Sequence, residues 1–370
     1  MPRELTIDGV RIADDTPCWV IAEIGSNHQG SVEQAKDLFT EAARCGANAV
    51  KLQKRDNRSL YTREAFNRPY DNENSFGPTY GLHREALEFG REQFEELKAH
   101  AAGLGVTCFA TAFDFRSAEM LAELEMPAYK IASCDLTNTP LLRFIAELGK
   151  PMIISTGGGT LDDVRRAYES VAETNAQIAL LQCTSGYPVE QFEQLDLRVI
   201  GTYRELFPDV VVGYSGHDNG IAIPLAAFVL GARIVEKHFT LNRAMRGTDH
   251  SFSLEPVGMR KLVRDLERTR LALGDGTKTL YPSEIEPIMK MSKKIVAATT
   301  LTVGHVLRLE DLALKAPGDG LPPYELNEVI GRTLRHPLDE DDTLTFEHLE
   351  ELLPGTLEPF AVPLRADDER

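Results

Sequence analysis

The chain has 370 residues, 42% of them hydrophobic and 26% charged, an ordinary globular composition long enough for one large domain and a small one. A formal net charge of −17, from 40 Lys and Arg against 57 Asp and Glu, argues against a nucleic-acid surface, yet leaves room for a small anionic substrate gripped by local cations. The longest apolar run, IAIPLAAFVLGA, is interrupted by Pro224 and Gly231 and is too short to span a bilayer, which excludes a transmembrane reading.

In chain order, short Val- and Ile-rich runs alternate with amphipathic helical stretches, the pattern of parallel βα units. CWVIAEIG closes on Glu23, and NAVKLQK ends with Lys51 and Gln53. The segment RDNRSLYTREAFNRPYDNENSFGPTYGLHREALEFG is far longer than a usual βα connection. Its aromatics (Tyr61, Phe66, Tyr70, Phe76, Tyr80) argue against disorder and predict an ordered flap over a site. VTCFATAF then ends near Thr111, AYKIASC carries Lys130 and Ser133, and PMIISTG carries Ser155 and Thr156. IALLQCT offers Gln182 and Thr184, VVVGYSGH offers Ser215 and His217, and RIVEKHFT offers Glu236 and His238. Eight such units predict a (β/α)8 TIM barrel, a fold of about 250 residues. A doubly wound sheet is the alternative, but no GxGxxG follows the first strand. The barrel is expected over 1–274, a turn-rich linker over 275–291, a small domain over 292–353 and an extended tail over 354–370. A domain of about 60 residues is near the lower limit for independent stability.

Each run is apolar at its start and polar at its end, and in a barrel the strand ends form the active face. Period-two geometry puts Glu236 with His238, Ser215 with His217 and Lys51 with Gln53 on shared strand faces, and turns Lys237 toward the helices. His217 and His238, on adjacent strand ends, could hold a divalent metal in an open octahedral site, or be two ordinary hydrogen-bonded histidines. Lysines are costly to bury without an anion. Lys51 and Lys130, with Thr111, Ser133, Ser155 and Ser215, therefore predict a phosphate or carboxylate cradle, against the alternatives of pairing with a carboxylate such as Glu23 or of one lysine forming a Schiff base. Glu23 stands where a general base could work, or serves as a salt-bridge partner. PGDG at 317–320 is a turn signal and no nucleotide loop. Five scattered cysteines without a CxxC pair, and an N-terminus with no export-signal pattern, suit reduced thiols and lead us to expect a cytoplasmic protein.

AEIGSNHQG, VKLQK, YKIAS, ISTGG, LQCTSGYP, GYSGHDNG, EKHFTL and GTDHSFSLEP, in this order, resemble the sialic acid synthases, which condense phosphoenolpyruvate with an N-acylmannosamine. KAPGDGLPP and IGRTL resemble the antifreeze-like (SAF) domain that ends those enzymes. The resemblance implies that His217 and His238 bind a manganese-type ion (Mg2+ or Co2+ being the other choices). It implies that Lys51, Lys130, Thr111, Ser133, Ser155 and Ser215 hold phosphoenolpyruvate, and that Glu23 lies at the sugar near the reacting carbonyl. It places Gln53, Tyr187 and Asp249 at the sugar or the intermediate, and Glu236 beside the metal. It further implies a domain-swapped homodimer, while the charge and hydropathy of the chain lead us to expect no nucleic-acid or membrane partner. Two positions depart from the bacterial pattern: Ser185 replaces an asparagine that touches phosphoenolpyruvate, and Ala316 replaces an arginine that reaches toward the acyl group. CTSGYP and the flap sequence look closer to the animal-type enzymes, which take the 6-phosphate of N-acetylmannosamine. The expected substrate is N-acetylmannosamine or a related N-acyl hexosamine. Its 6-phosphate is the alternative, and a Schiff-base aldolase or a non-catalytic carbohydrate-binding protein the competitors from other classes.

Overall fold

A computed structural model describes residues 3–351; the expected tail at 354–370 lies outside the described residues. The chain divides into two compact units, one ending at Gly274 and one starting at Asp275. The first opens with a hairpin of β1 (Glu4–Ile7) and β2 (Val10–Ala13). Eight parallel strands follow: β3 (Trp19–Glu23), β4 (Ala49–Lys54), β5 (Thr107–Ala112), β6 (Tyr129–Ile131), β7 (Met152–Ser155), β8 (Ile178–Cys183), β9 (Val211–Gly216) and β10 (Ile234–His238). They pair in chain order, and β10 pairs with β3 to close a barrel. All eight lie where the sequence pattern puts them.

Side chains alternate across the barrel wall because successive Cβ atoms of a strand point to opposite faces. Trp19 and Ile21 of β3, Ala49 of β4, Phe109 of β5, Ile153 of β7, Leu181 of β8, Val211 of β9 and Ile234 of β10 fill the interior. Leu5, Ile7 and Ile12 of the hairpin join that same cluster and seal it at the strands' starting ends. The hairpin is absent from the predicted elements, although ELTIDGVRIA carries its signal: an Asp-Gly turn with positive φ at Asp8 (51°) and Gly9 (78°) between alternating runs. On the outer wall Val20, Ala22, Val50, Leu52, Val212 and Val235 pack under helices through Leu38, Phe39, Phe94, Leu97 and Leu262.

The long β4–β5 connection is ordered. Helices Asn57–Leu60, Arg63–Asn67 and Tyr80–Ala86 are capped by Asp56, Thr62 and Thr79, whose side chains accept backbone N–H groups of the first turn. Tyr80 meets Tyr61 and Tyr70 edge-on at ring distances of 5.2 and 5.4 Å. Asn74 Oδ1 accepts the Gly247 N–H at 2.9 Å, and Arg246 lies 4.8 Å over the Phe76 ring. These contacts fasten the flap to the loop after β10.

In the second unit the stretch expected as a turn-rich linker carries a helix, Pro282–Met291. Pro282 starts it, since proline at a first-turn position loses no hydrogen bond, and Glu284 accepts the Tyr281 N–H at 2.8 Å. Beyond it β11 (Lys294–Ala297) pairs antiparallel with β12 (Leu312–Lys315). Isolated bridges such as Leu301 to Leu338 and Leu334 to Leu349 fold the rest around a small core that includes Ile295, Leu307, Val329, Leu338 and Leu344. Among the described residues no helix is long and apolar enough to cross a membrane.

Candidate active site

Parallel register brings the strand ends side by side. Glu23 lies opposite Lys51 on one neighbour and His238 on the other, Gln53 opposite Thr111, Thr111 opposite Lys130, and Ser215 opposite Glu236. The parity that sends Trp19 and Ile21 inward sends Glu23 inward too, and the same holds for Lys51 after Ala49 and for Glu236 and His238 after Ile234. Glu23, Lys51, Gln53, Thr111, Lys130, Ser133, Ser155, Ser185, Tyr187, Ser215, His217, Glu236, His238 and Asp249 all line one cavity of about 650 Å³ at this mouth. That volume lies within the roughly 300–1,000 Å³ range of small-molecule sites.

Its floor is a buried ion-pair chain. Lys51 Nζ lies 2.6 Å from Glu23 Oε2, 3.7 Å from Glu236 Oε1, and donates to Thr111 Oγ1 at 2.9 Å. Lys130 Nζ donates to Ser155 Oγ at 2.6 Å and to the Ile131 carbonyl at 3.0 Å, with Glu236 at 3.9 Å. Both lysines thus have carboxylate neighbours, the alternative weighed against an anion cradle, while each also faces the cavity. Burial pushes the Glu23 carboxyl up to about 7, although Lys51 pulls it down. Burial also opposes ionisation of Glu236, but Lys130 and Lys51 outweigh it and hold that carboxyl below its usual range. Burial draws the Lys130 ammonium down against the pull of Glu236.

The residues present fit a divalent cation. His217 Nδ1 donates to the Thr184 carbonyl at 3.0 Å, which orients the ring and makes Nε2 the nitrogen available to a ligand. His238 is held neutral by burial, its pKa down to about 4, and its Nδ1 is a buried nitrogen without a hydrogen-bond partner among the described residues. The two rings are 5.5 Å apart, and Phe252 packs edge-on against both. Glu236 Oε2 is likewise buried without a partner. No group of three or more His, Cys, Asp or Glu converges as a closed metal site among the described residues. Two imidazoles with room beside them suit an ion that completes its shell with water and substrate oxygens.

Other placements refine the strand-end reading. On β8 the inward residues are Ala179, Leu181 and Cys183; Gln182 alternates with them, so it points out and donates to the Leu195 carbonyl at 3.0 Å. Lys237 faces the helices as expected and is fully buried there, 3.0 Å from Asp218 Oδ1, which also accepts from Tyr214 Oη at 2.7 Å. Ser133 opens a short 3-10 turn, and its Oγ accepts the Gly157 N–H at 3.0 Å. A Cβ on Gly157 would stand 2.2 Å from Ser185 Oγ and 2.9 Å from Ser133 Oγ, so only glycine admits both hydroxyls. Gly25 adopts φ +53° in the turn after Glu23, where a Cβ would meet Asp249 Oδ2 at 2.8 Å. Arg55 and Arg84 also line the cavity, unannounced by strand alternation because both sit in or beside the irregular flap.

A closed (β/α)8 barrel whose mouth gathers buried lysines, a carboxylate near neutrality and a histidine pair is the scaffold of an enzyme acting on small polar molecules. The family model described as "NeuB family" matches residues 38–278 and the SAF domain model matches 294–350; the chain belongs to the NeuB family and carries a SAF domain. It is 40% identical to the N-acetylneuraminate-9-phosphate synthase of Mus musculus, over 95% of this chain and 98% of that one. It is 34% identical to the N,N'-diacetyllegionaminic acid synthase of Campylobacter jejuni, over 88% and 98%. Among solved structures it is similar to the N-acetylneuraminic acid (sialic acid) synthetase of Leptospira borgpetersenii in complex with citrate, at TM-score 0.68 and 33% identity, over 78% of this chain and 96% of that one.

Proposed function

We propose that the protein condenses phosphoenolpyruvate with an N-acylmannosamine-type sugar to give a nonulosonic acid and phosphate. The observation that carries the reading is the buried floor, where Lys51, Lys130, Glu23 and Glu236 lie within ion-pair reach beneath a histidine pair. Lys51 and Lys130 hold the phosphate and carboxylate of phosphoenolpyruvate, with the hydroxyls of Thr111, Ser133, Ser155, Ser185 and Ser215 completing the anion's hydrogen bonds. His217 and His238 would hold a divalent ion, manganese foremost, which when bound would supply Lewis-acid polarisation of the sugar aldehyde. Gln53, Tyr187 and Asp249 position the open-chain sugar so that its aldehyde carbon meets C3 of phosphoenolpyruvate at near-attack distance. As that C–C bond forms, C2 becomes electron-poor and water adds there, Glu23 taking the water's proton on its carboxylate. The aldehyde oxygen takes up a proton and stays on the sugar as a hydroxyl, and the tetrahedral adduct loses the proton of its new C2 hydroxyl as it expels phosphate by C–O cleavage, leaving a C2 keto group.

The animal relatives act, by name, as 9-phosphate synthases, which supports a 6-phosphorylated N-acylmannosamine as the sugar in preference to the free one. A homodimer with exchanged SAF domains and a cytoplasmic location complete the reading. Release of inorganic phosphate from phosphoenolpyruvate with manganese tests it, across N-acetylmannosamine, its 6-phosphate, mannose and a diacetamido hexose; no release with any sugar overturns it. The lowered Lys130 pKa favours one rival, an imine-forming aldolase. Borohydride with substrate separates the two, and no adduct is expected.

A further inference from the structure

Every cation that lines the cavity has a carboxylate within ion-pair distance except one, among the described residues. Lys51 has Glu23 and Glu236, Lys130 has Glu236, and Arg55 has Glu88 at 3.6 Å. Arg84, on the flap helix Tyr80–Ala86, has none. Its Nε and Nη2 both donate to Tyr80 Oη, at 3.2 and 3.1 Å, which leaves Nη1 without a hydrogen-bond partner among the described residues. The guanidinium is nevertheless held in place. Its carbon lies 5.2 Å from the Tyr80 ring centre, and that ring is wedged edge-on by Tyr61 and Tyr70. The helix cannot back away, since Gly81 sits so close to Phe66 that a Cβ would meet that ring at 2.3 Å.

We propose that Arg84 is a specificity-determining residue, the receptor for a phosphate carried by the second substrate at the end away from its aldehyde. The proposal rests on the condensation reading above and names the group that would read the sugar's 6-phosphate. The division of labour follows from depth. Lys51 and Lys130, 2% and 3% exposed, sit at the floor, whereas Arg84 enters from the flap, so the floor takes one anion and the flap a second. A planar fork with free N–H donors matches phosphate oxygens, and a cation that no protein carboxylate neutralises keeps its attraction for them. Asp249 is the carboxylate whose charge reaches Arg84. It lies beyond ion-pair distance, 3.9 Å from His238 Nδ1, so it can accept from a sugar hydroxyl while the phosphate stays on the far side of the guanidinium.

The test is the ratio of kcat/KM for N-acetylmannosamine 6-phosphate over N-acetylmannosamine at saturating phosphoenolpyruvate, in the wild-type protein, Arg84→Gln and Arg84→Lys. The wild type should favour the phosphorylated sugar. Arg84→Gln should lower the ratio by at least about 30-fold, the loss expected for one charge-assisted fork, and Arg84→Lys should restore part of it. Tyr80→Phe, which removes the acceptor that aims the guanidinium without changing charge, should lower the ratio several-fold and decides the matter if Arg84→Gln does not fold. Calorimetric titration of the two sugars, without turnover, should show the same loss of preference. A wild-type ratio of one or less, or an Arg84→Gln ratio equal to wild type, overturns the role of Arg84 and leaves condensation standing. Absence of phosphate release with every sugar strikes the condensation reading instead, and the titration still answers for Arg84.

Discussion

Lys51→Met and Lys130→Met look equivalent by charge, yet the structure separates them by pH. An ammonium about 4 Å from a phosphate charge gains roughly 4 kcal/mol at an effective dielectric of 20. Each lysine already faces a carboxylate, Glu23 at 2.6 Å for Lys51 and Glu236 at 3.9 Å for Lys130, which offsets part of that gain. With about half remaining, each variant loses about 2 kcal/mol, or about 30-fold in KM for phosphoenolpyruvate. Their acid limbs differ. Glu23 must be ionised to take a proton, so kcat/KM should fall as pH drops through its carboxyl pKa of about 7. Lys51 is the cation holding that value down against burial. Removing it favours the protonated form and should move the limb upward by about 1–3 pH units. Lys130 has its larger effect on Glu236, so Lys130→Met should leave the limb near its wild-type position. Phosphate release measured from pH 5.5 to 10 at fixed manganese resolves the two profiles. Coincident limbs in the two variants would refute the assignment of Glu23 as the titrating base paired to Lys51.

Chelation by EDTA should abolish turnover and manganese restore it, with His217→Ala and His238→Ala each losing about 100-fold or more in manganese affinity by titration; full activity without metal would end the histidine-pair reading. Gly157→Ala should raise KM for phosphoenolpyruvate about tenfold while the protein stays folded, because the new methyl must displace the Ser185 and Ser133 hydroxyls that complete the anion's hydrogen bonds; an unchanged KM would remove those hydroxyls from the site. Lys237→Met should cost about 3–5 kcal/mol in urea unfolding by stranding the buried Asp218 charge, and adding Asp218→Asn should recover most of it. Equal stability of single and double variants would show that the pair is not the stabilising unit.

Strand order, barrel closure and the identity of the mouth residues were legible because they rest on local repetition. Eight apolar runs each turn polar at the end, and period-two alternation carries Glu23, Lys51, Glu236 and His238 inward from the residues before them. The alternation also misplaces a residue when a run's end is off by one: Gln182 belongs to the outer wall and Cys183 to the cavity. The hairpin at Glu4–Ala13 had its Asp-Gly turn signal, but nothing local says that Leu5, Ile7 and Ile12 seal a barrel interior.

The order of the chain by itself determined the eight-fold alternation and the chemical kind of residue at each strand end, since both are properties of neighbours a few positions apart. Only the folded chain decided who meets whom: Lys51 with Glu23, Lys130 with Ser155, Lys237 with Asp218, Arg84 with Tyr80. Charges across a cylinder interact through distances that closure sets, and burial then fixes their protonation, as the Glu23 carboxyl near 7 shows. The partner of a cation, or its lack of one, is therefore a tertiary fact, however plain the cation is in the sequence.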